Sequence, residues 1–136
     1  MMRLTALIAL VVTLMVPRLV LAEPTIILGV DHPPQPMPIA IPDLYAANPG
    51  DAQVGSDVAR VVAADLERSG LFAPIDQKAF IQDNASLQQN IRFQDWKLIN
   101  AQALVVGSAK ALPGGQVNVQ FRLWDVFGGQ YMGGSQ

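Results

Sequence analysis

One histidine, His32, is the only side chain here with an unperturbed pKa near neutrality, and there is no cysteine. Thiol nucleophiles, zinc–thiolate sites and disulfides are therefore excluded. His32 follows Asp31, and Asp43 comes shortly after. These three would have to furnish any small hydrolase or ligand-binding site. Two adjacent ligands make a poor metal site, and His32 lies in a proline run that holds no general base rigidly. Asp65 and Glu67, two apart on a predicted helix, point to different faces. Trp96 and Trp124 could stack on a sugar or a base, yet each sits inside an apolar element, where core packing is the expected role. The pairs Gly114-Gly115, Gly128-Gly129 and Gly133-Gly134 fall between predicted strands, which is the place for turns and not for a phosphate-binding loop. No catalytic residue, metal ligand set or cofactor is assigned.

The elements that must position these residues begin with an export address. Met1-Met2-Arg3 is a short positive start, and Leu4 to Val16 is apolar except for Thr5 and Thr13. Pro17-Arg18 interrupts the run, and Val20-Leu21-Ala22 supplies a cleavage site. This is the layout of a secretory signal peptide, cleaved after Ala22. The apolar run is too short for a spanning helix, which needs about 20 residues. The remainder, 23–136, suits one domain. The whole chain carries a net charge of −2, and losing Arg3 and Arg18 makes it more acidic. An acidic chain without a basic run is a poor binder of nucleic acid or anionic lipid.

Along the mature chain, Thr25 to Asp31 is β-prone. His32 to Pro38 is a linker in which Pro33, Pro34 and Pro36 cannot donate backbone hydrogen bonds. Ile39-Ala40-Ile41-Pro42 reads as a strand, either at a sheet edge or stopped by Pro42. Tyr45 to Gln53 reads as a loop. Val54, Val58, Val61, Val62 and Leu66 then form one apolar stripe at helical period, and Gly70 can end that helix in the left-handed conformation.

Leu71 to Ile75 reads as a short strand, and Asp76 can cap one turn. Gln82 to Ile91 is amide-rich and reads as an exposed loop, whereas Phe93 to Ala101 reads as a helix ended by Asn100. Ala103 to Gly107 is a continuous apolar strand, expected to be buried on both faces. After a Pro113-Gly114-Gly115 turn, Val117, Val119, Phe121 and Leu123 alternate with Asn118, Gln120 and Arg122, predicting one buried face. Tyr131-Met132 begins a further strand.

The expected fold is an α/β domain, a small two-layer structure in which helices pack a mixed sheet. This order of elements calls for a closing helix after Gln136, so the domain is expected to be incomplete at its C-terminus and to expose apolar surface. The organisation is 1–22 as cleaved signal peptide, 23–38 as an N-terminal partner-binding strand with its Pro-rich linker, and 39–136 as the domain. The tethered strand must satisfy its backbone polar groups somewhere. It is either the first strand of the fold or a segment lent to another protein's sheet edge, with Thr25, Ile27 and Gly29 facing one way and Ile26, Leu28 and Val30 the other.

Four stretches carry a family resemblance. They are Pro38 to Pro42, Val62 to Phe72, Asp95-Trp96 with Ile99 to Val105, and Phe121 to Val126. In order and spacing they resemble the N-terminal domain of the TolB family, the periplasmic component of the bacterial Tol–Pal system, in its alphaproteobacterial form. The resemblance implies a non-enzymatic adaptor that couples inner and outer membranes during cell division, maintains envelope integrity and supports colicin import. It implies that the segment after the cleavage site engages TolA, which maps onto Glu23, Pro24, Thr25, Ile26, Ile27, Leu28, Gly29, Val30, Asp31 and His32. It also implies that Pal is bound by a β-propeller that these residues do not include. The alternative is a small periplasmic ligand-binding or hydrolase module using Asp31, His32 and Asp43.

Overall fold

The computed structural model describes residues 34–135. Strand β1 (Met37–Ala40) leads through a 3-10 turn at Pro49–Asp51 into helix α1 (Ala52–Arg68), which returns the chain to strand β2 (Phe72–Pro74). A second 3-10 turn at Gln77–Ala79 and two short helices, α2 (Asn84–Gln89) and α3 (Phe93–Leu98), precede strand β3 (Ala103–Ala111). Strands β4 (Val117–Asp125) and β5 (Gln130–Ser135) complete a five-stranded sheet in the order β2-β1-β3-β4-β5. β1 runs parallel to β2 and β3, while β4 is antiparallel to β3 and β5. The α/β class with a mixed, helix-packed sheet is the one expected.

Alternation along the central strands sends side chains to two cores. Ile39, Ile41, Ala103 and Val105 pack with Ala59 of α1 on one face. Ala40, Leu104 and Val106 pack with Leu87 of α2 and Trp96 of α3 on the other. Helices therefore lie on both faces, so the sheet is the middle of three layers and not one of the two expected. β3 is buried on both, as its unbroken apolar run requires.

Several local expectations need correcting. β1 begins at Met37 and is interior, not at an edge. Pro38 sits within it, lacking an N–H but accepting a hydrogen bond from Gln102 N–H at 2.9 Å. The amide-rich stretch is not a loop, because its middle is α2. Asp83 caps that helix by accepting from Ser86 N–H at 2.9 Å, and Leu87 is buried. A good cap and one apolar anchor outweigh the polar composition. Gly133-Gly134 is not a turn. Both residues pair inside β5, with Leu123 and Arg122 of β4, next to a register shift.

α1 is where the periodicity predicts it. It ends at Arg68, and Gly70 follows at φ 73°. The face it buries differs, however. Gly55 and Ala59 are its fully buried positions, whereas Val61 is 59% exposed. A Cβ on Gly55 would collide with the backbone carbonyl of Leu44. Small residues bring this helix close to the chain after β1, and that close approach rotates the valine stripe sideways.

Candidate functional site

At 100° per residue, Val58 and Val62 lie to one side of the buried Gly55–Ala59 line, while Ser56 and Arg60 lie to the other. The valine side borders the half of the sheet that α1 leaves uncovered. There, Val119, Phe121 and Leu123 of β4 share a face with Val105 of β3, as the pairing Val105↔Leu123 requires. Between helix and strand runs a groove of about 290 Å³, floored by Ile41 and Val105 and walled by Val58, Val62, Leu66, Phe121 and Leu123. Every lining residue is apolar. The single buried face expected for β4 is thus only half realised. Val117 is 45% and Phe121 41% exposed, because no described element lies over them. The opposite face of β4 carries Asn118, Gln120 and Arg122, as a solvated face should.

The proposed partner-binding residues Glu23 to His32 lie outside the described residues, and so do Asp31 and His32 of the alternative hydrolase reading. Asp43 lies within them, where its Oδ1 accepts from Gln77 Nε2 at 3.0 Å; the same amide also donates to Ile41 O at 3.1 Å. Asp65 is paired with Arg68 at 2.8 Å on the exposed side of α1. Trp96 is fully buried, and its indole N–H donates to Gln82 Oε1 at 3.0 Å, so it has the core role expected. Trp124 is half-buried between Phe93 and Tyr131, with ring centroids at 5.9 and 5.7 Å. Among the described residues, no three of His, Cys, Asp and Glu converge in a way that could hold a metal ion. No described helix is long and apolar enough to cross a membrane.

Residues 30–132 match the model of the TolB amino-terminal domain family. The chain belongs to that family. A relative, the Tol-Pal system protein TolB of Paramagnetospirillum magneticum, is 61% identical over 100 residues, which are 74% of this chain and 22% of that protein. The crystal structure of TolB from Acinetobacter baumannii is similar at a TM-score of 0.57 and 24% identity, covering 76% of this chain and 23% of that one. Lipoprotein GNA1162 from Neisseria meningitidis gives the same TM-score, 0.57, at 13% identity, covering 75% and 77%. These two structures show the fold alone. The chain thus spans about a fifth of the TolB proteins it matches.

The main residue that sequence reasoning missed is Gln82, which it placed in an exposed loop. Gln82 is 4% exposed and ties the α2–α3 segment together. The usable signal was the neighbouring Asp83-Asn84-Ala85-Ser86, a capping sequence that places a helix there and turns the preceding residue inward.

Proposed function

We propose that this chain serves in the Tol–Pal system as a non-enzymatic periplasmic adaptor whose segment Glu23 to His32 engages TolA. Membership of the TolB amino-terminal domain family carries this reading. In the bacterial envelope the adaptor would help couple inner and outer membranes at division, maintain envelope integrity and support colicin import. The first 22 residues would direct export and be removed after Ala22, and N-terminal sequencing of protein recovered from the periplasm checks that site. Pal binding is not proposed for these residues.

The chemistry of the domain favours an adaptor over a hydrolase. Each aspartate among the described residues is engaged in a local structural contact. Asp76 and Asp83 cap helical turns, and Asp57, Asp65 and Asp95 pair with arginines three positions away. Asp51 accepts from Asn48, Asp125 from the Phe127 N–H, and Asp43 from Gln77. Carboxylates held this way are poorly placed for general acid–base work, which requires a group within reach of a substrate proton.

TolA recognition would use strand addition, with backbone hydrogen bonds supplying affinity and alternate side chains supplying specificity. Deleting Glu23 to Asp31 should abolish TolA binding in calorimetry while leaving the unfolding transition of the domain in place. Unchanged affinity in the deletion would refute the assignment of this segment.

A further inference from the structure

No further inference is drawn: the strongest candidate, the apolar groove between helix α1 and strand β4 walled by Val58, Val62, Phe121 and Leu123, is an unpartnered face, and nothing in the structure shows what covers it.

Discussion

The amide of Gln82 reaches Asn90, Arg92 and Trp96, which are eight, ten and fourteen residues away. Its Nε2 donates to Asn90 O at 2.6 Å, and its Oε1 accepts from Arg92 N–H and from Trp96 Nε1–H, both at 3.0 Å. Replacing it with leucine leaves those three groups without their partner. Of these, the Trp96 indole N–H is buried, and leaving it unsatisfied costs about 1–3 kcal/mol, whereas Asn90 and Arg92 are exposed residues whose bonds to Gln82 are only part-buried. Gln82→Leu should therefore lose about 1–3 kcal/mol in urea unfolding, with the slope unchanged. A loss near zero would mean that water replaces the amide. Its neighbour Asp83 makes a pH-dependent contribution. The backbone N–H of Ser86, and then its hydroxyl, hold the Asp83 carboxyl below its ordinary 3.8. A depressed carboxylate stabilises the fold above its unfolded pKa and stops doing so as pH falls through the folded value. Amide protection factors in α2 should fall selectively below about pH 4, and Asp83→Ala should remove that pH dependence. Neither role was legible from composition, which reads both residues as solvated. Trp96 was legible, because an apolar setting already predicts burial.

Among the elements, α1 was legible in position because periodicity reports a helix whatever it packs against. Its orientation was not, because a hydrophobic stripe does not distinguish the residues touching the sheet from those beside them. Gly55 decides that question. Alanine is favoured over glycine in a helix by about 1 kcal/mol, so Gly→Ala at an open helical site stabilises. At Gly55 the added Cβ meets the backbone carbonyl of Leu44, which also lies beside a hydrogen bond from Leu44 N–H to Gly55 O at 3.2 Å. Backbone cannot move aside as a side-chain tip can. Gly55→Ala should therefore destabilise by about 1–3 kcal/mol despite its propensity gain. Gly50→Ala, in the turn before α1 where a Cβ meets nothing within 4 Å, should be close to neutral. Equal effects at the two sites would remove the close-approach argument. The short α2 escaped the sequence reading for a related reason. Six residues are too few for periodicity to register, and its anchors, Leu87 and the Gln88 hydrogen bond to Gly107 O at 3.2 Å, are tertiary.

At the scale of the molecule, the sheet has two unlike faces over residues 117–123 of β4, one polar and solvated up to Trp124, the other apolar and only partly covered. The alternation that predicted this sidedness was read directly from residues 117–123. What it left open was how far α1 reaches, because helix placement depends on the Gly55 contact and not on β4. The result is an apolar groove that joins the turned valine stripe to Phe121 and Leu123. Contiguous exposed apolar surface of this kind binds hydrophobic dyes, whereas a single exposed apolar side chain does not. The chain without its signal peptide, residues 23–136, should accordingly enhance ANS fluorescence while melting cooperatively, because both buried clusters are formed without Phe121. Phe121→Asp places a carboxylate in the wall of the groove at a position already 41% exposed, so it should cut the dye signal by more than half and leave the fold standing. Leu98→Asp makes the same chemical change at a side chain that is 78% exposed and lies outside the groove, and it should leave the signal intact. If both substitutions lowered the fluorescence equally, the dye would be reporting general loosening of the chain, and the groove would not be its binding site.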